Sequence, residues 1–291
     1  MQRPSEVYGA ITKPSMQPLT RGLATRPLSN GHTNGHYDRV TAAINDIRHD
    51  HPNRSVDALK HLQVLLADEP DSFLDNVQTI TDALVDEMER AFTPPDNLLD
   101  PRCFRLVKHL IQTFSGFSEN QNLMRRLSYS DIYSMLSGLS LRLVQADRMG
   151  GTISELVKFM NMILVQLLAT PDRLLVFTVM FRLFLSLSKD FFVDRVQPET
   201  EVAAHADLVL KCLWKRCKIL DDDLRSGRLK PGPMMAVIEE FLQAVGPAEY
   251  RRRAAKGVAL GDMPLRTVKT IIQRIISECR QLQCVRIPLI P

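Results

Sequence analysis

The stretch LVLKCLWKRCKILDDDL, residues 208–224, holds the only tryptophan of the chain, two of its five cysteines and a cluster of basic residues. Its reading decides the fold. At about 100° per residue, a helix here puts Val209, Leu213, Cys217 and Leu220 on one face, with Leu210 and Trp214 at the margin of that face. Leu208, Cys212 and Ile219 make a second stripe, and Lys211, Lys215 and Lys218 occupy the strip between. The pattern predicts a helix packed on two sides, with Trp214 in the core. Cys212 and Cys217 point well apart on such a helix, so they neither pair nor share a metal ion, and they read as buried structural thiols.

The rest of the chain is consistent with that architecture. Its 291 residues are 45% hydrophobic, 24% charged and 6% aromatic, a soluble globular composition with enough apolar material for one long core or two ordinary ones. Cysteines at 103, 212, 217, 279 and 284 are odd in number and form no CxxC pair, which favours a reducing, cytosolic setting. Residues 1–36 are rich in Pro, Ser, Thr, Gly and Asn, have no apolar stretch of the kind a secretory signal needs, and read as a disordered tail. The most apolar region, 156–188, is interrupted by Lys158, Asn161, Gln166, the Pro171-Asp172-Arg173 corner and Arg182, so no membrane association is expected. With a formal net charge of only +4, an electrostatic partner must be met by a local basic surface.

From Tyr37 onward the apolar residues keep a helical period. The expected helices cover 37–48, 55–67, 73–92, 100–114, 128–146, 152–168, 172–188, 202–220, 233–245 and 264–280, separated by Pro- and Gly-marked corners such as His51-Pro52-Asn53, Pro94-Pro95, Gly150-Gly151, Thr170-Pro171 and Met263-Pro264. Taken in order they form five antiparallel pairs, and a repeat of roughly 40 to 50 residues is that of HEAT or armadillo arrays. Periodicity alone leaves an irregular bundle open. The fold expected is all-α, a HEAT-type α-solenoid of about five helix pairs over 37–280, with an irregular C-terminal tail at 281–291.

Chemistry-bearing motifs are few. His49, Asp50, His51 and His61, with His32 and His36 in the tail, lack a cysteine partner and read as solvated surface, so no metal or other cofactor is expected. RRLSYSD, residues 125–131, resembles a basophilic kinase site at Ser128, but Ser128 with Asp131 is also a capping box for the next helix. There is no Gly-rich phosphate loop, nucleophile elbow or paired-carboxylate constellation, and the chain is not expected to be an enzyme. The basic residues are the stronger signal. YRRRAAK, residues 250–256, falls between the last two expected helices, and in PLRTVKTIIQRII the residues Leu265, Val268, Ile272, Ile275 and Ile276 make a buried stripe opposite Arg266, Lys269 and Gln273. Arg54, Arg102 and Arg148 sit at the first three corners within pairs. In a solenoid those corners share one edge, which would carry a discontinuous basic ridge. Nucleic-acid binding through Arg251 to Arg253 would rest on the basic run alone, without interleaved aromatics, and is not expected.

The segments LVKFMNMILVQLL (156–168), DLVLKCLWKRCKIL (207–220) and MPLRTVKTIIQRII (263–276), in that order, resemble the region that follows the main tubulin-binding arrays in TOG-family microtubule polymerases of the Minispindles and Dis type, with GDMPLRTVKTIIQ similar to a fungal member. The likeness covers about residues 37–278 and rests on "LVxKCLW" and "PxRTxKTxI". It implies a TOG-like HEAT array, and tubulin or microtubules as partner, met through the turns within helix pairs. The candidate tubulin-binding residues are then Arg54, Arg102, Arg148, Arg252, Lys256, Arg266 and Lys269, of which the motif itself carries only the last two. It further implies cytoskeletal localisation at plus ends, spindle poles and kinetochores, and an alternative role as an adaptor for a coiled-coil spindle-pole or plus-end protein. Two departures stand out. HPNRSVDALKHL offers His51, Pro52 and Asn53 before Arg54 where the first turn of such arrays carries a tryptophan. CRQLQCVRIPLIP lacks a final helix pair, so the chain is expected to be a fragment or to have a miscalled end.

Overall fold

The computed structural model describes residues 34–48, 51–169, 172–188, 191 and 199–285, without the side chains of 34–38, 152 and 282–285. The expected readings of residues 1–33, of His49, Asp50, Thr170 and Pro171, and of 286–291 lie outside the described residues, as does the side chain of Cys284. Among the described residues every regular element is helical: α1 Asn34–Ile47, α2 Pro52–Asp68, α3 Val77–Ala91, α4 Pro101–Glu119, α5 Gln121–Arg126, α6 Tyr129–Met149, α7 Ser154–Ala169, α8 Arg173–Ser188, α9 Glu201–Cys217, α10 Leu220–Arg225, α11 Pro231–Ala244, α12 Pro247–Ala255 and α13 Met263–Val285, with three short 3-10 turns. Local chemistry sets the starts. Asp100 accepts the Arg102 amide at 2.7 Å beside Pro101, and Thr200 accepts the Ala203 amide at 3.2 Å. Ser128 and Asp131 form the expected capping box, at 2.7 and 3.3 Å. Gly150 and Gly151, with φ of 64° and 60°, make the turn between α6 and α7 in a conformation that side chains disfavour.

Three antiparallel pairs stack regularly. α1, α3 and α6 form one layer and α2, α4 and α7 the other. Gln63 donates to the His109 carbonyl at 2.8 Å and Ser118 to Gln166 at 2.7 Å, which fixes the register of the second layer. In the first layer Gly138 lets α6 approach α3 closely. A Cβ there would stand 3.0 Å from the Met88 side chain. The core between layers is continuous and rich in phenylalanine, including Phe73, Phe92, Phe114, Phe117, Phe177, Phe181, Phe184 and Phe241. Beyond α7 the stacking changes, because α6 packs against both α8 and α9. Ser140, Gln145 and Arg148 on α6 meet His205, Glu201 and Glu199 in reverse order, so α9 runs antiparallel to α6. α8 then carries α11, and α9 carries α13.

Three helices absent from the sequence expectation are the short ones, α5, α10 and α12. Residues 250–256, expected in a connection, lie mostly in α12. The stripe of α13 is also shifted. Leu265, Val268, Ile271 and Ile275 are buried, whereas Ile276 is 45% exposed and Ile272 only partly covered.

The largest correction concerns Trp214, which is 45% exposed. Val209, Leu210, Leu213, Cys217 and Leu220 are buried as the wheel requires, and burial pushes the Cys217 thiol up to about 12 and the Cys212 thiol to about 11. Trp214 occupies the margin of that face, where neither α8 nor α13 covers it fully, and Ile219 from the second stripe is 41% exposed. Trp214→Ala should therefore cost under about 1 kcal/mol, the range of a surface change and well short of a core deletion. Denaturant unfolding of the variant checks this.

His205 is buried between α6 and α9. The Ser140 hydroxyl donates to the Leu136 carbonyl at 2.5 Å and so accepts from Nε2 of His205, 2.6 Å away, which puts a ring proton on Nε2. Burial first, and then the charge of Arg142, pull His205 from its ordinary 6.5 to about 4. The unfolded chain thus takes up a proton near pH 6.5 that the folded chain refuses until about pH 4. Stability is full above 6.5 and falls through that window, by up to about 3 kcal/mol at its acid end. His205→Gln should flatten most of the slope of the denaturant midpoint between about pH 7 and pH 5. A slope equal to that of the wild type would contradict this account.

Candidate functional site

Helix ends set one edge of the array. α3 and α6 run parallel, with Phe92 at the end of α3 facing the guanidinium of Arg142 late in α6 at 5.7 Å. Their final residues therefore point the same way, and Arg148 donates to the Glu199 carbonyl at 2.9 Å, bringing the start of α9 to the same edge. Arg48 at the end of α1 reaches Asp86 of α3 at 2.9 Å. The corners of the first three pairs thus share an edge, with Arg54, Arg102 and Arg148 on it.

Their surroundings differ. Arg54 opens α2 and pairs with Asp46 at 2.8 Å, both side chains about half exposed. Arg102 is exposed in the first turn of α4, its backbone amide used by the Asp100 cap. Arg148 uses a carbonyl and not a carboxylate, so its charge is not neutralised by that contact. On α13, Arg266 and Lys269 are exposed on one face, with Arg266 held by Asp262 at 2.9 Å in an i,i+4 pair. The C-terminal half of α13 is tied to α10, at the far end of α9, by Arg274–Asp221 at 2.7 Å and Arg225–Glu278 at 2.6 Å. Arg266 and Lys269 lie in the first turns of α13, at the opposite end of the helix from these ties.

The 250–256 segment contributes less than its composition promises. Tyr250 and Arg253 are fully buried, the guanidinium 5.4 Å from the tyrosine ring centroid. Arg252 donates to Glu249 at 2.7 and 2.8 Å, and this bond, ahead of that from Arg253, draws the Glu249 carboxyl down to about 2. Of the basic run only Arg251 and Lys256 are exposed, with Arg252 half-buried. An i,i+3 spacing from Glu249 was the signal that could have shown this from sequence.

Sequence reasoning also missed a buried charge centre. Asp223 on α10, 1% exposed, accepts from Arg216 at the end of α9, and lies 3.3 Å from Nε of Arg173 on α8 and 3.0 Å from Nε of Arg228. The Arg216 guanidinium also faces the Phe177 ring at 6.0 Å. No periodicity flags it, because an acidic triplet normally reads as solvated and the three arginines come from separate elements. Among the described residues there is no group of three His, Cys, Asp or Glu able to hold a metal ion, and no helix long and apolar enough to cross a membrane.

The chain is similar to protein MOR1 of Arabidopsis thaliana, 27% identical over 287 residues, which covers 94% of this chain and 14% of the plant protein. It is also similar to protein MOR1 of Oryza sativa subsp. japonica, 25% identical over 234 residues, covering 78% of this chain and 11% of that protein. Protein mini spindles of Drosophila melanogaster is 30% identical over 78 residues, covering 27% of this chain and 3% of the fly protein. The chain spans no more than 14% of the length of these relatives. No family model and no solved structure matches it.

Proposed function

We propose that the chain is a non-enzymatic, microtubule-associated array that meets the acidic surface of tubulin with its turn edge, and contributes to microtubule growth and spindle organisation at plus ends, spindle poles and kinetochores. The observation that carries this reading is the exposure of Arg266 and Lys269 together on the helix whose motif most resembles the TOG family. Similarity to MOR1 along nearly the whole chain and to mini spindles over part of it supports the same family setting. Arg54, Arg102 and Arg148 extend the basic edge, with Arg252 and Lys256 at its flank. A single array of this kind adds affinity within a longer protein by raising the local concentration of a weak contact.

A second reading is favoured by one observation. His51, Pro52 and Asn53 stand where the resemblance calls for a tryptophan before Arg54, and His51 is exposed. On that reading the array is an adaptor for a coiled-coil spindle-pole or plus-end protein. A pull-down with purified tubulin, set beside one from cell extract, separates the two. Retention of purified tubulin supports direct contact, whereas retention of other proteins from extract without purified tubulin supports the adaptor.

A further inference from the structure

The exposed side of α9 is a second surface, away from the turn edge. Its uncovered arc carries Lys211, Trp214, Lys215 and Lys218, with half-buried Asp207 between them. Asp207 pairs with Lys211 at 2.7 Å, and no ion pair reaches Lys215 or Lys218 among the described residues. Exposed Ile219 follows directly. Glu199 marks the turn edge at the start of α9, and Trp214 lies about 22 Å from it along the helix axis. A half-exposed indole beside uncompensated ammonium groups combines the two features that concentrate binding energy, an aromatic anchor and an oriented charge.

We propose that this face docks an acidic protein segment, the indole taking an apolar side chain and Lys215 and Lys218 its carboxylates. Charge complementarity selects that occupant. A second copy of the chain would bring the same lysines against themselves. Residues 286–291 contain Arg286 and no acidic residue, so they do not complement the arc either. The site is independent of the tubulin reading, because it uses no residue of the turn edge.

Trp214 is the only tryptophan, so its emission reports this site alone. The full chain would be titrated with a synthetic glutamate-rich peptide carrying spaced leucines. The expected result is a saturable blue shift that weakens at least about tenfold when ionic strength rises from about 0.05 to about 0.5 M. Lys215→Glu with Lys218→Glu should weaken binding at least about tenfold without lowering the melting midpoint, and Arg266→Glu with Lys269→Glu should leave it unchanged. Anisotropy of a labelled peptide supplies the readout for Trp214→Ala, which should also bind at least about tenfold more weakly. No emission change at low salt would overturn the proposal, as would equal binding by the lysine variant. An equal response to inorganic polyphosphate would overturn a peptide ligand in favour of any polyanion. A blue shift that grows with the concentration of the chain alone would assign the face to self-association, and a red shift on deleting residues 286–291 would assign it to that segment.

Discussion

Asp223→Asn is expected to destabilise the chain by about 3 to 5 kcal/mol, because it leaves Arg173, Arg216 and Arg228 without the carboxylate they share. Removing one partner of a buried ion pair costs far more than the pair contributes over an apolar substitute, since the desolvated charge remains. Here one carboxylate serves three guanidinium groups, and it joins α8, α9, α10 and the segment after α10. The melting midpoint should fall by roughly 10 °C. Lys218→Glu, on the exposed arc of α9, is the control and should shift it by little. A midpoint for Asp223→Asn that stays with the wild type would mean that the arginines are already satisfied by other groups or by water.

Arg266→Glu with Lys269→Glu is expected to weaken binding to the tubulin dimer at least about tenfold, since attraction to an acidic surface becomes repulsion. Folding should persist. Leu265 and Val268 hold the helix in the core, and the Arg266–Asp262 pair that is lost has a 74% exposed arginine, a class of pair worth under about 1 kcal/mol. Helicity and melting of the double variant check the fold, and co-sedimentation with microtubules checks the second form of the partner. Binding by the variant equal to that of the wild type would leave tubulin as partner but move the contact to another edge.

Long helices were legible in the sequence because many turns of periodic apolar spacing leave little freedom. α5, α10 and α12, of 6, 6 and 9 residues, contain too few turns for that signal. The wheel placed Trp214 at the correct angle and failed on its burial, since burial depends on which neighbour covers a margin, and the change of stacking after α7 is invisible in local spacing. Arg253 shows the same limit from the other side. A basic triplet reads as solvated, yet the helical phase of α12 turns its third member onto Tyr250 in the core. The corners carrying Arg54, Arg102 and Arg148 were legible because proline and glycine mark them, and antiparallel pairing then puts successive corners on one edge. The Asp223 centre was not legible, because its partners meet only through tertiary packing.

The most direct test of the central claim is a titration of the purified chain with tubulin dimer across ionic strength. The turn-edge account predicts saturable binding at low salt whose affinity falls steeply as salt screens the basic edge. Absence of binding at the lowest salt, with the chain folded by its helicity, would contradict it.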